Sequence, residues 1–406
     1  MAQGFLASPG VGTKWAGNDD AGRWLEHLEL ARDLLAGSID PPLGRRPPDL
    51  VDVLADVALA APGVACLRAL GRVLGGSRSW REASVRIDAA STALGLRVLL
   101  NHPESISLIR SAIRRGVYWR RALAYFVEGG LQSVLDELAH LVFDLRAVGR
   151  LDDRAARSAE LARTIRQMAS ARSVQLAPDE IVVSARTIAF RRYTMRTRFA
   201  MRYGETEDET TGERTSAEAM RDAFNSPFAP FVLATTSIGQ EGLDFHAYCH
   251  AVVHWNLPSN PVDLEQREGR VHRYKGHSVR KNVVAAVGSK AMLRDDSDPW
   301  AALFAEAERA DAAAENSEIV PYWVFPGDAR IERHVPALPL SREEERLQRL
   351  QRSLAMYRSV LGQPRQEELV ELLARRKLPE PLTYDDVRID LSPPTRRGRK
   401  RSARTA

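Results

Sequence analysis

Three short apolar runs in the second half of the chain constrain its fold most. They are "FVLATT", "CHAVVHWNL" and "KNVVAAVG", and helical or loop sequence separates them. Strands that are apolar on both sides are typical of a buried parallel sheet, and a helix between two strands supplies the crossover. The sequence therefore predicts an α/β domain over residues 176–290, with a parallel sheet covered by helices on both faces.

The sequence on either side of this domain is helical. Residues 1–175 carry apolar residues at spacings of three and four, for example in "SLIRSAIRRGVYWRRALAYF", which predicts a large all-helical accessory or insertion region. Residues 291–390 include "SREEERLQRLQRSLAMYRSV" and are predicted to form a helical C-terminal extension. Residues 391–406 are predicted to be a disordered basic tail.

The composition limits the partners and the compartment. The 406 residues carry a formal charge of +5, and six basic residues lie in "TRRGRKRSARTA", so any basic surface elsewhere must be local. Cys66 and Cys249 are the two cysteines, which favours a reducing compartment over a disulfide framework. No signal-peptide pattern and no apolar run of membrane-spanning length stands out. We expect a cytoplasmic protein without membrane contact.

The segment "PSNPVDLEQREGRVHRYKG" predicts a helix that carries chemistry. Asn260 suits the N-cap, and Pro261 suits the first helical position. A helical period places Gln266, Arg270 and Arg273 on one face, beyond the carboxyl end of the strand "AVVHW". Two such guanidiniums form a suitable clamp for a triphosphate, because they stay charged and stabilise charge on a transferring phosphoryl group. A solvated helix face is the alternative interpretation.

The loop "ATTSIGQEGLDF" lies after the first of the apolar runs. Its glycines, Gly239 and Gly242, allow backbone amides and short hydroxyl side chains to approach phosphates closely. The alternative is that these glycines only make a tight turn from strand to loop.

Taken in order, "ATTSIGQEGLDF" and "VVHWNLPSNPVDLEQREGRVHRYKG" resemble motifs V and VI of superfamily 2 helicases. The pattern is most similar to that of Snf2-like and related bacterial DNA helicases. The resemblance implies a RecA-like C-terminal lobe. It also implies that Arg270 and Arg273 act as arginine fingers toward ATP held mainly by a companion lobe, with Gln266 helping to position them.

The resemblance implies further contacts in the loop. Nucleotide contacts fall to Gly239, Glu241, Gly242 and Asp244. Asp244 is the candidate for the ribose. Contacts to the nucleic-acid backbone fall to Thr235, Thr236 and Ser237. ATP and Mg²⁺ are the cofactors of the complete motor, and most of their ligands are expected outside this chain.

Two segments resemble the phosphate loop and the acidic box that such a motor also needs, but neither is a convincing match. "SPGVGTKW" departs from the phosphate-loop pattern, and no apolar strand precedes it. "VLDELAH" resembles an acidic helicase box but follows a helical pattern.

The set His246, Cys249, His250 and His254 suggests a metal, yet residues four apart on a strand are about 13 Å apart, too far to share one ion. We predict no metal site.

Two functions remain as hypotheses. The first is the C-terminal portion of an ATP-dependent DNA helicase or translocase, inactive without an amino-terminal RecA-like lobe in the same or another chain. The second is a non-catalytic module, built on a degenerate helicase lobe, that binds nucleic acid or a partner protein. Salt-dependent DNA binding favours the second if it survives Arg270→Ala but is lost when the basic residues of the tail are replaced, namely Arg396, Arg397, Arg399, Lys400 and Arg401.

Overall fold

The structure is a computed structural model. It describes residues 19–40, 45–170, 174–176, 179–184, 186–203, 206–207, 214–215, 217–236, 244–292, 297–312, 319–337 and 339–359. The chain divides into two compact units. The first comprises 1–198, 226–229 and 294–302, and the second comprises 199–225, 230–293 and 303–406. The phosphate-loop imitation at residues 8–15, the basic tail and four of the predicted site residues lie outside the described residues.

The first unit consists mainly of helices, as the sequence predicts for this part of the chain. They are α1 (Asp19–Ala36), α2 (Leu50–Ala60), α3 (Pro62–Val73), α4 (Ala83–Leu100), α5 (Pro103–Ala112), α6 (Tyr118–Gly129), α7 (Leu131–Leu145) and α8 (Arg154–Ala169), with 3₁₀ turns at Gly76–Arg81 and Val148–Arg150. Helix α3 packs against α4 and α7, and α4 packs against α8. Leu70, Leu96, Leu138 and Leu161 are buried where these helices meet.

The segment "VLDELAH" lies in α7, so the helix prediction is confirmed. Asp136 is buried there, where it pairs with Arg72 and accepts a hydrogen bond from Gln132 Nε2 at 3.1 Å. Burial raises the pKa of the Asp136 carboxyl to about 6, although the Arg72 charge opposes the rise. This acid contributes to helix packing in the first unit.

A β-hairpin follows the helices. Strand β1 (Val174–Leu176) pairs with β4 (Met195–Thr197), and β2 (Asp179–Val183) pairs with β3 (Ile188–Arg192), all antiparallel and in one register. The segment "EIVVSARTIAF" folds back on itself, so that β2 pairs with β3 rather than with a parallel strand.

The second unit holds the parallel strands. Strand β5 (Ala200–Arg202) pairs with β8 (Val232–Ala234), and β9 (Ala251–Val253) pairs with β10 (Glu332–His334), whereas β6 (Thr206–Glu207) and β7 (Arg214–Thr215) are antiparallel. The helices are α9 (Ala217–Phe224), α10 (Pro261–Gly269), α11 (His277–Met292), α12 (Pro299–Ala312, with its first residues in the first unit) and α13 (Glu343–Ser359). In the described residues, the parallel strands form two separate pairs rather than the one predicted sheet.

The third predicted strand is wrong. "KNVVAAVG" belongs to α11, in which Val279 and Val283 are both buried. These valines lie four residues apart, so they fall on the same face of a helix. A short apolar run satisfies both patterns, and here the helical one prevails.

One apolar stretch of the described residues, Leu50–Val73, is long and apolar enough to cross a membrane. It joins two helices, because α2 ends at Ala60 and Pro62 begins α3 after an extended Ala61. Cys66 and Leu70 of α3 are buried in the first unit. Packing within the helical unit therefore accounts for the apolar residues of α3.

Candidate functional site

Helix α10 begins as the sequence predicts. The Asn260 side chain accepts a hydrogen bond from the Val262 N–H at 2.9 Å, and Pro261 occupies the first helical position. Buried Leu264 faces the interior, whereas Gln266 is exposed. The start of α10 is thus determined by local sequence, namely the Asn260 cap and Pro261.

The end of α10 differs from the prediction. The helix stops at Gly269, so Gln266, Arg270 and Arg273 do not share one helical face. We call residues 270–276 the arginine turn. The N–H groups of Val271 and His272 both bond to the Glu268 carbonyl, at 3.0 and 3.2 Å, which tightens the chain as it leaves the helix.

Backbone hydrogen bonds join the arginine turn and the next residue, His277, to the end of the segment "ATTSIGQEGLDF" and to the residue after it. The Phe245 N–H donates to the Arg270 carbonyl at 2.9 Å, and the His277 N–H donates to the His246 carbonyl at 3.1 Å. Phe245 is buried against the rings of Tyr203 and Phe224. These bonds bring the two predicted motifs together in the second unit.

Asp244 and Arg273 form an ion pair. Arg273 Nε lies 3.1 Å from Asp244 Oδ1, and both side chains are about half exposed to solvent. The pair joins a residue predicted to contact ribose to a residue predicted to contact phosphate. Because both groups remain accessible, the Arg273 guanidinium is available to an anion that competes with the carboxylate.

The rest of the predicted loop is only partly described. Thr235 and Thr236 are exposed at the carboxyl end of β8. Four predicted residues lie outside the described residues: Ser237, Gly239, Glu241 and Gly242. At the far end of the loop, Asn225 Nδ2 donates to the Asp244 carbonyl at 2.8 Å, and Asn225 Oδ1 accepts from the Ala247 N–H at 3.2 Å. Asn225, which the sequence analysis missed, therefore fixes the exit of the loop.

His246 lies next to this ion pair and is buried. Neither of its ring nitrogens has a hydrogen-bond partner among the described residues. Burial lowers the pKa of His246 to about 4, assisted by the charges of Arg280 and Arg273 and opposed by Asp244. The imidazole is therefore neutral near pH 7 and adds no positive charge beside the arginines.

Arg280 is a buried residue of the site that sequence reasoning missed. It is 1% exposed, and it donates from Nη1 to the Lys275 carbonyl at 2.7 Å and from Nη2 to the Ala247 carbonyl at 2.5 Å. Its guanidinium lies 5.2 Å from the centre of the Tyr248 ring. Arg280 thus connects the arginine turn to residues 247–248. Arg280 lies just before the run "KNVVAAVG", and its partners at residues 247–248 are distant in sequence, so no local pattern indicated this role.

Glu268, at the end of α10, is held by two cationic or polar partners. Its carboxylate receives a bidentate pair from Arg333, at 2.5 and 2.6 Å, and contacts His254 Nε2 at 3.1 Å. Burial alone would raise the pKa of this carboxyl, but the hydrogen bonds from His254 and Arg333 lower it to about 2. The ionised carboxylate therefore stabilises the folded second unit.

The low pKa of Glu268 predicts a dependence of stability on pH. A carboxyl whose pKa falls from an ordinary 4.5 to about 2 on folding contributes stability above pH 4.5, and this contribution disappears as the pH falls toward 2. After allowance for solvent screening, we expect about 2 kcal/mol at neutral pH. Chemical denaturation of wild type and Glu268→Gln at several pH values measures it.

The difference between the two proteins is expected to shrink between pH 4.5 and pH 2. Glu308→Gln, on α12, is the matched control, and it should change stability by under about 0.5 kcal/mol. A wild-type minus Glu268→Gln difference that stays constant down to pH 2 contradicts the prediction.

Comparison with known proteins finds a helicase match in this part of the chain. Residues 181–275 match the family described as the helicase conserved C-terminal domain. Over 61 residues, the chain is 38% identical to a protein described as the uncharacterized ATP-dependent helicase YqhH of Bacillus subtilis (strain 168). That match covers 15% of this chain and 10% of the relative. No solved structure matches the chain.

The chain therefore carries a helicase C-terminal domain within residues 181–275. The matched residues include the segment "ATTSIGQEGLDF", the ion pair of Asp244 with Arg273, and most of the arginine turn. Helix α11, helix α12 and strand β10 lie beyond the matched residues, although Arg280 of α11 and Arg333 of β10 contact this site.

Proposed function

We propose that this chain is the C-terminal portion of an ATP-dependent DNA helicase or translocase of the Snf2-like or related bacterial type. The observation that carries the proposal is the junction of the two motifs, where Arg270 and Arg273 are fixed against Phe245 and Asp244. The helicase C-terminal domain at residues 181–275 supports it. An amino-terminal RecA-like lobe, in the same or another chain, supplies the rest of the motor.

In this proposal, Arg270 and Arg273 are the arginine fingers. Both are half-buried in a turn whose backbone is fixed by hydrogen bonds, so little ordering is needed when an anion arrives. Arg273 exchanges its contact with Asp244 for a phosphate oxygen, and Asp244 is then free to accept from a ribose hydroxyl. Gln266 is exposed on α10, and the family resemblance assigns it to help position the two arginines.

ATP and Mg²⁺ fit this site only in part. The guanidiniums of Arg270 and Arg273 suit phosphate oxygens, which they bind with several donors in a fixed geometry. In the part of the chain that the structure describes, no three His, Cys, Asp or Glu side chains lie close enough to hold a metal ion. The proposal therefore assigns the Mg²⁺ ligands to the companion lobe. Bound there, Mg²⁺ neutralises charge on the transferring phosphoryl group.

The motif V loop is the proposed contact to DNA. Thr235 and Thr236 are exposed at the end of β8, where short hydroxyl side chains suit phosphate oxygens. On the family resemblance, Ser237 is assigned to the same DNA contact, whereas Gly239, Glu241 and Gly242 of this loop are assigned to the nucleotide. Closure of two lobes around nucleotide then shifts this loop along a strand. A cytoplasmic location and absence of membrane contact belong to the same proposal.

Steady-state ATP hydrolysis tests the proposal. The purified chain is measured alone and after mixing with candidate companion lobes encoded beside it, each with and without single-stranded or double-stranded DNA. DNA-stimulated turnover that requires a companion lobe supports the proposal. If no lobe restores turnover while DNA binding persists in Arg270→Ala, the chain is a binding module instead.

A further inference from the structure

Residues 319–334, which we call the strap, lie beyond the matched helicase domain. They contact both the arginine turn and the end of α10. At one end, the Tyr322 carbonyl accepts from the Lys275 N–H at 2.7 Å. At the other end, β10 pairs with β9, and Arg333 forms its bidentate bond with Glu268. The strap therefore contacts Lys275 within the arginine turn and Glu268 just before it.

Within the arginine turn, Lys275 is bonded to the strap through its backbone N–H. It is 6% exposed and has a positive φ of 49°, a conformation that most residues other than glycine avoid. Its carbonyl accepts the hydrogen bond from Arg280, and its N–H is bonded to the strap. A Cβ on the next residue, Gly276, would come within 3.1 Å of the Arg273 carbonyl. The turn is thus held in a conformation that local sequence alone does not favour.

The Lys275 ammonium lies in an aromatic box. Nζ is 4.7 Å from the ring centre of Phe304, 5.3 Å from that of Tyr274 and 5.6 Å from that of Tyr322. Phe304 and Tyr274 both stack on Tyr322, and the ring centre of Tyr274 is 5.7 Å from that of Tyr322. Cation–π contacts are strongest where the cation is removed from water, as it is here.

The strap is fixed in turn to α11. Asn282 Nδ2 donates to the carbonyls of Phe325 and Ala329 at 3.0 and 3.1 Å, and Asn282 Oδ1 accepts from the Ala329 N–H at 2.9 Å. A Cβ at Gly327 would lie 2.3 Å from Asn282 Oδ1, so glycine permits this close approach. The arginine turn, the strap and α11 therefore support one another.

We infer that the strap and the aromatic box around Lys275 position the arginine fingers, so that Lys275 and Arg333 are positioning residues for nucleotide turnover. The claim that these residues affect turnover rests on the proposed function. The claim that they hold the arginine turn in place rests only on the contacts described above. Lys275 acts through the backbone of the turn that carries Arg270 and Arg273, and Arg333 acts through Glu268.

Hydrogen–deuterium exchange of the full chain tests the structural content. Lys275→Met keeps an unbranched side chain but removes the ammonium, and Arg333→Met removes the bond to Glu268. We expect amide exchange in peptides covering 270–276 and 244–248 to accelerate about tenfold in each variant. Lys281→Met and Arg330→Met replace exposed cations on α11 and the strap, and they should leave exchange there unchanged.

Three outcomes are distinguishable. Acceleration confined to the arginine turn and residues 244–248 supports the inference. Unchanged exchange in both variants overturns it, and so does an equal acceleration across α12 and α13, because a general loss of stability is then sufficient. If Lys275→Met does not fold, Tyr322→Leu provides the same comparison with the box opened from the strap side.

The catalytic content is tested in the assembled motor. Lys275→Met is expected to lower kcat about tenfold with little change in KM, and Lys275→Arg, which keeps a cation in the box, should recover most of it. An unchanged kcat overturns the positioning role. If Arg270→Ala also leaves kcat unchanged, the proposed function fails instead, while the exchange experiment still decides whether the strap holds the turn.

Discussion

Arg270→Ala is expected to lower kcat for ATP in the assembled motor about a thousandfold, which is the effect typical of removing an arginine finger. The physical reason is that the guanidinium stabilises charge that develops on the transferring phosphoryl group, and this charge is small before the reaction. Nucleotide affinity should therefore change much less than turnover. Single-turnover hydrolysis and equilibrium binding of a labelled nucleotide measure the two effects separately.

Arg309→Ala is the matched control for this prediction. Arg309 is an exposed arginine of α12 whose partner is Glu306, so its removal should leave turnover unchanged. Asp244→Asn is a useful third variant, because it releases Arg273 from its ion pair without removing either finger. Turnover in Arg270→Ala within threefold of wild type rules out the finger assignment, whatever the DNA binding shows.

The parts of the site that sequence reasoning found are those set by local signals. Asn260 and Pro261 define the start of α10 through capping, which depends on neighbouring residues only. The order of the two motifs along the chain led to the family resemblance. The match at residues 181–275 confirms a helicase C-terminal domain, whereas the Snf2-like type and the motif assignments stay predictions. The finer roles of Arg270, Arg273 and Gln266 stay predictions.

The parts that were missed depend on distant residues. Helix α10 was expected to continue through Arg273, but the Phe245 N–H and the Tyr322 carbonyl bind the backbone of the turn, and both lie far away in sequence. The pattern of α11 was misread because an apolar run of this length fits a strand or a helix equally well. Lys275 gave no signal, since its aromatic partners Phe304 and Tyr322 are contributed by sequence beyond the motif.

Arg280→Ala is expected to have the largest effect on stability. The substitution leaves the carbonyls of Ala247 and Lys275 without their donor and opens a void beside Tyr248, because Arg280 is almost fully buried. Unsatisfied buried carbonyls and a cavity together cost about 3 kcal/mol or more. Thermal denaturation should show a Tm about 10 °C lower for the second unit.

The division of the chain into two units provides an internal control for this prediction. Helix α7 belongs to the first unit and Arg280 to the second, so exchange of α7 amides is an internal reference within the same molecule. Arg280→Ala should accelerate exchange in α11 and the arginine turn while α7 keeps its protection. Arg280→Lys, which keeps the charge but not the forked pair of donors, should recover only part of the loss. A Tm within 2 °C of wild type for Arg280→Ala, against the roughly 10 °C expected, would mean that other contacts hold residues 247–248 to the turn.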